Sequence, residues 1–246
     1  MRFRARTVVA ALALVLAIPL AHGETPADPA ERARVKELVR EILKENPEMV
    51  LEALQTLEAR EHDEANAKSA QAVAQYRDRI EHDAQDPVAG NPQGDVTLVE
   101  FFDFKCPYCK QVSDQMFQTV QSDGKVRLVL KDLPILGRES LIAARAALAS
   151  IAQGKYLAFH RALIAERGPL DEANVLRIAS AVGLDAGRLK VDMGKSDIDG
   201  RIKRNLELAQ ALDIRGTPAF VIGDELIPGA TDAATLKAAI QKARGG

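Results

Sequence analysis

Two cysteines occur in the 246-residue chain, and they stand together as Cys106-Pro107-Tyr108-Cys109. The stretch before them, Val96-Thr97-Leu98-Val99-Glu100-Phe101-Phe102-Asp103-Phe104-Lys105, is apolar, β-branched and aromatic. It reads as a strand that delivers the pair onto the first turn of a helix. At such a junction unpaired backbone N–H groups and the helix dipole favour a thiolate, the form of sulfur that attacks disulfides. The chemistry this spacing points to is thiol–disulfide exchange.

Each residue then has an expected part. Cys106 is expected to be the exposed nucleophile, with Pro107 at the first helical position, where its missing N–H is no loss. Lys105 and Lys110 flank the pair and add positive potential. Cys109, one turn further in, is expected to be the buried thiol that resolves a mixed disulfide on Cys106. The Pro107-Tyr108 dipeptide lies where the thiolate, and with it the redox potential, would be tuned. Glu100 is the candidate acceptor for the Cys109 proton. It is the one acid in the run from Val96 to Phe102, and buried acids are rare unless paired or functional. The plainer reading makes it an edge-facing carboxylate in water.

Other uses of this cysteine spacing fit less well. A structural zinc site takes four ligands, and no second cysteine pair exists. The histidines beyond His22 are His62 and His82, in a charged helical stretch, and His160. His160 reads as a helix-surface or satisfied core residue. A static disulfide across four residues gains little from loop closure. The expectation is therefore a redox-active Cys106–Cys109 pair with no further cofactor and no metal.

The chain starts Met1-Arg2-Phe3-Arg4-Ala5-Arg6, continues in an apolar run from Thr7 to Ala21, and turns polar at Glu24. A basic start, a short apolar middle and the small residues Ala21 and Gly23 have the form of a cleaved secretory signal over residues 1–23. The run is shorter than the roughly 20 residues a membrane anchor needs. Export to the periplasm follows. Residues 1–23 hold three arginines and no acid, so the remainder carries 30 basic and 35 acidic residues, a net charge of −5. A mildly acidic chain without a basic cluster argues against nucleic acid or an anionic membrane surface as partner.

Three further sections position the cysteines. Residues 24–85 read as a helical stalk, with Val35, Leu38, Val39, Ile42 and Leu43 at helical spacing, then Asn46-Pro47-Glu48 as a cap, then Met49, Val50, Leu54 and Leu57. An apolar stripe this narrow must bury itself against the protein body or against copies of itself. From 58 to 85 the stripe thins to Ala70, Val73, Tyr76 and Ile80, and the charges read as a solvated helical face. Residues 86–94 are dense in turn formers and read as a linker. The domain at 95–246 then reads as strand 95–104, helix 107–121, strand 125–132, helices over about 138–212, a hairpin at 219–228 and a last helix near 232–244. That order is an α/β thioredoxin fold with an inserted helical domain.

Phe101-Phe102-Asp103-Phe104-Lys105-Cys106-Pro107-Tyr108-Cys109-Lys110 and Gly216-Thr217-Pro218-Ala219-Phe220 resemble the two signatures of bacterial DsbA-like thiol–disulfide oxidoreductases, over residues 90–245. The front segment, with Leu43-Lys44-Glu45-Asn46-Pro47-Glu48 and Leu54-Gln55-Thr56-Leu57, resembles that of the ScsC and Com1-type branch. The resemblance implies Cys106 as nucleophile, Cys109 as resolving thiol and Glu100 as the acid beneath them. It also implies a cis Thr217-Pro218 bond facing the cysteines, with the Thr217 backbone free to pair with a client strand. The Pro107-Tyr108 dipeptide departs from the Pro-His of DsbA itself. Some members of the branch with a long front segment form trimers through it and act as disulfide isomerases, and the resemblance to these implies a trimeric isomerase here. Its partners would be exported cysteine-containing proteins and a membrane-embedded reductant of DsbD or ScsB type. The alternatives are a monomeric dithiol oxidase served by a DsbB-like oxidant, and a copper-binding protein using the thiolates as soft ligands.

Overall fold

The computed structural model describes residues 28–245, so the leader expected at residues 1–23 lies outside the described residues. The chain divides into two compact units at Leu57/Glu58. In the first, helix α1 (Pro29–Glu45) starts at Asp28, whose carboxylate accepts the Ala30 N–H, and buries none of its side chains. Asn46 closes α1, its backbone and side-chain amides both donating to the Ile42 carbonyl. Its own carbonyl accepts from Met49 at the start of α2 (Glu48–Glu81), so Asn46 serves both helix ends.

The second unit is built on a five-stranded sheet of order β1-β3-β2-β4-β5. Strand β1 is Val88–Gly90, β2 Val96–Phe102, β3 Val126–Asp132, β4 Ala219–Ile222 and β5 Glu225–Pro228. Strands β2 and β3 run parallel, joined by helix α3 (Pro107–Asp123), and the other pairings are antiparallel. Gly124, at φ 72°, closes α3 in the left-handed region that glycine enters without a steric penalty. Helices α4 (Arg138–Ala149), α5 (Tyr156–Ala165), α6 (Glu172–Ala181), α7 (Ala186–Asp192) and α8 (Ser196–Ala211) form the insert, and α9 (Ala233–Gly245) ends the fold. This is a thioredoxin fold with a helical insertion, as the element order implied.

Strand residues alternate between two cores. Leu98, Phe102, Leu128, Leu130 and Phe220 face α3, α9 and the insert, while Val99, Phe101, Val129 and Val221 face the opposite side. On that second side Val73 and Ile80 of α2 are fully buried, together with Leu208 and Leu212. The compact unit thus begins at residue 58, inside the segment read as a solvated stalk face. The charges of α2 stay outside while Val73 and Ile80, seven residues apart, lie on one helical stripe.

The end of α2 is also held by cations from β3. Arg127 donates to the Glu81 carbonyl at 2.6 Å, and buried Lys131 donates to the Arg79 carbonyl at 2.7 Å while pairing with Asp86. Positive charge at a helix C-terminus is favourable. The expected linker at 86–94 contains a strand, β1, which pairs antiparallel with β3 from Val88↔Val129 to Gly90↔Arg127. Three residues are too few to show alternation in sequence, and Pro87 before the strand and Gly90 at its end read as turn formers. No helix among the described residues is long and apolar enough to cross a membrane.

Candidate active site

Strand β2 ends at Phe102, and buried Asp103 builds the turn that follows. Its Oδ1 accepts the Lys105 N–H at 2.7 Å, and its Oδ2 accepts the Ile135 and Leu136 N–H groups at 2.9 and 3.0 Å. The Asp103 carbonyl accepts the Cys106 N–H at 3.0 Å. One carboxylate therefore ties the cysteine loop to the loop after β3. Sequence reasoning did not single out Asp103, although an acid inside Phe101-Phe102-Asp103-Phe104 was the available signal.

Cys106 is the N-cap of α3, at φ −68° and ψ 118°, with Pro107 opening the helix. Its Sγ accepts from the Cys109 N–H at 3.5 Å and donates to the Thr217 carbonyl at 3.1 Å. The Thr217-Pro218 bond is cis and places that carbonyl against the sulfur. Cys106 was expected to be exposed, but the residue is only 3 % exposed, because the N-cap position sits between the first turn of α3 and the Thr217 loop. Tyr108 reaches solvent, at 60 % exposure, and Pro107 beside it is exposed as well. Cys109 is fully buried, as expected of an inner thiol.

The electrostatics separate the two sulfurs. The Cys106 thiol is pulled down to about 5, chiefly by a hydrogen bond from the Cys109 thiol, against the upward push of burial. The Thr217 side chain and the Cys109 and Tyr108 amides add to that pull. The same bond, with burial and the nearby Glu100, drives the Cys109 thiol far above its ordinary value. The flanking lysines direct their charges elsewhere: Lys105 pairs with Glu139, and Lys110 donates to the Glu166 carbonyl. Glu100 is 2 % exposed, and burial, then the charges of Cys106 and Asp132, push its carboxyl up to about 8. An acid in that state accepts and returns a proton near neutral pH.

The structure thus brings Cys106, Cys109, Pro107, Tyr108, Thr217 and Pro218 together, with Glu100 buried near the sulfurs. It adds Asp132 and Tyr156, which the sequence reading left out. Asp132 is 1 % exposed, and its Oδ2 accepts from the Tyr156 hydroxyl at 2.9 Å. His160 is a core residue, ringed by Phe102, Phe104, Phe117 and Tyr156, and burial drives its imidazole down to about 3. Its Nδ1 has no hydrogen-bond partner among the described residues.

Residues 97–241 match the model of the DSBA-like thioredoxin domain, more than half of the chain. The chain belongs to the DsbA-like thioredoxin family. Residues 31–64 match the N-terminal domain of the copper resistance protein ScsC, which places this DsbA-like protein in the ScsC-type branch. Among solved structures, a thioredoxin-like oxidoreductase from Silicibacter pomeroyi is 47% identical, with a TM-score of 0.68, covering 69% of this chain and 98% of that one. Proteus mirabilis ScsC in a transitional conformation is 31% identical, with a TM-score of 0.66, covering 89% of this chain and 97% of that one. A curated relative, a Na(+)/H(+) antiporter of Salinispora tropica, is 31% identical over 161 residues, 65% of this chain. The match spans 25% of that antiporter's length. Family and site geometry together support reading this DsbA-like protein as a thiol–disulfide oxidoreductase.

Proposed function

We propose that the protein exchanges disulfides of exported proteins in the periplasm, with Cys106 as nucleophile, and that it acts as a disulfide isomerase assembled as a trimer through residues 33–57. The observation that carries the exchange reading is the Cys106 sulfur, pulled to about 5 at the tip of α3 and in contact with the Thr217 carbonyl. The Cys106 thiolate attacks a client disulfide: a Cys106–client bond forms, the client S–S bond breaks, and the other client sulfur leaves as thiolate. Ionisation of Cys106 removes its bond to Thr217, so that carbonyl becomes open to an amide of an extended client segment. Cys109 then gives its proton to Glu100 and attacks Cys106, releasing a reduced client and a Cys106–Cys109 disulfide. If a second client thiol attacks first, the bridge moves within the client and the protein ends reduced.

Isomerisation needs the reduced protein, so a membrane-embedded reductant of DsbD or ScsB type is the partner of this reading, with the cysteine pair as the redox group. Support for assembly comes from the first compact unit. Val35, Leu38, Val39, Ile42 and Leu43 of α1, and Met49, Val50, Leu51, Leu54 and Leu57 of α2, are all exposed. A run of apolar side chains of this length is covered in a stable assembly. Joining several active sites on one particle raises the effective concentration of a second thiolate near a captured client.

The test uses a client with scrambled bridges. The chain without its leader restores client activity in a reducing glutathione buffer, and deletion of residues 24–57 removes most of that ability while leaving dithiol oxidation intact. An undiminished isomerase rate in the truncated protein contradicts the reading and favours the monomeric oxidase. The cut belongs at residue 57, because one at 85 would also remove Val73 and Ile80 from the core.

A further inference from the structure

The proton that Glu100 takes from Cys109 must leave a buried site, and the residues behind Glu100 offer a way out. In the parallel pairing of β2 with β3, Glu100 stands opposite Leu130 and Phe102 opposite Asp132. Leu130 and Phe102 share the core that holds Cys109, so by strand alternation Glu100 and Asp132 project to that same face. Asp132 is buried with one oxygen, Oδ1, lacking any hydrogen-bond partner among the described residues. Its other oxygen is held by the Tyr156 hydroxyl at 2.9 Å. Tyr156 in turn lines a cavity of about 550 Å³, open to solvent between the segment before β1 and the helical insert, where Asp86, Lys155, Val182 and Arg201 also stand. A buried, unsatisfied carboxylate oxygen is costly and calls for a reason.

We propose that Asp132 and Tyr156 form the proton outlet of the site, connecting Glu100 to this cavity. The proposal rests on the exchange reading above. The proton leaves the Cys109 Sγ for Glu100 and reaches the free Oδ1 of Asp132. The protonated carboxyl then turns so that this proton faces the Tyr156 hydroxyl, which accepts it while passing its own proton to water in the cavity. One proton emerges for each Cys106–Cys109 bond formed, and no electrons take this route. Burial pushes the Asp132 carboxyl up to about 7, with Asp86 adding to the rise, while the Tyr156 hydroxyl and Arg201 oppose it. That value is close to the value of about 8 for Glu100, so transfer between the two acids is nearly level. His160, stacked on Tyr156, stays neutral at these pH values and takes no part in the charge balance. Asp132 and Tyr156 touch neither client nor sulfur; they are positioning residues acting through Glu100.

The experiment follows release of a client from its mixed disulfide with Cys106, from pH 5 to 9, in the native protein, Asp132→Asn and Tyr156→Phe. Asp132→Asn keeps the side-chain shape but carries no proton. It is expected to slow release about tenfold, less than the roughly 100-fold or more a general base itself supplies. It also removes a negative neighbour of Glu100, so the midpoint of the release profile moves to lower pH. Imidazole, small enough to enter the cavity, restores the Asp132→Asn rate in proportion to its concentration and leaves the native rate unchanged. Tyr156→Phe, the alternative if the asparagine variant fails to fold, slows release similarly. The ultraviolet thiolate midpoint of Cys106 stays within about half a pH unit in both variants, too small a change to account for a tenfold effect. Release at the native rate in a folded variant, or slowing that imidazole does not relieve, overturns the outlet. If the native protein forms no mixed disulfide at all, the exchange reading falls first and takes the outlet with it.

Discussion

At the scale of single residues, the site works by giving two identical thiols opposite electrostatic surroundings. Cys106 receives hydrogen-bond donors at a helix N-terminus, and Cys109 is buried beside an acid. The folded reduced protein therefore holds Cys106 at about 5 against an ordinary value near 9. A depressed value stabilises the fold where the group is ionised: the gain is full above pH 9, shrinks below it and is gone below about 5. The same shift predicts that alkylation of Cys106 by iodoacetamide is half-maximal near pH 5 and flat from about 6.5 to 8. A midpoint near 8.5, that of a free thiol, would contradict it. Cys106, Cys109 and Glu100 were legible in sequence because a lone cysteine pair and a lone acid in an apolar run are local patterns. The burial of Cys106 was not, since the Thr217 carbonyl that covers it comes from 111 residues away. Asp132 and Tyr156 were equally hidden: they lie 24 residues apart, and no local pattern links the end of β3 to the start of α5.

Elements show the same division between local and distant signals. Strand β2, helix α3, strand β3 and the closing hairpin were readable within a residue or two, because apolar runs bounded by turn formers, and in α3 a helical apolar period, mark them locally. Strand β1 has three residues and no period to show. Helix α2 was the harder case. Its apolar positions are sparse beyond Leu57, and only the second core reveals that Val73 and Ile80 pack beneath Val99, Phe101 and Val129. This packing predicts that Ile80→Ala destabilises the catalytic unit by about 2–5 kcal/mol, the range for emptying a buried aliphatic site. Urea unfolding would show it as a lower midpoint with an unchanged slope. A solvated helix face would tolerate the change with a loss below about 0.5 kcal/mol.

For the whole molecule, the chain joins a folded DsbA-like domain to a first unit whose apolar side chains are exposed. That contrast was visible in the sequence as two stripes of different width, although the boundary between the units was not, because α2 runs through it without a break. Light scattering on residues 24–246 is expected to give three times the chain mass, falling to the monomer when residues 24–57 are removed. A monomer with the segment present would leave the apolar stripe without its proposed role and would favour the oxidase. Beneath every scale lies the claim that Cys106 forms covalent bonds with client sulfurs and Cys109 breaks them. Trapping tests it most directly: each single cysteine-to-alanine variant is mixed with a disulfide-bridged client and separated under non-reducing conditions. Cys109→Ala is predicted to accumulate a reductant-sensitive complex, and Cys106→Ala none. Equal complexes from the two variants, or none from either, would contradict the account.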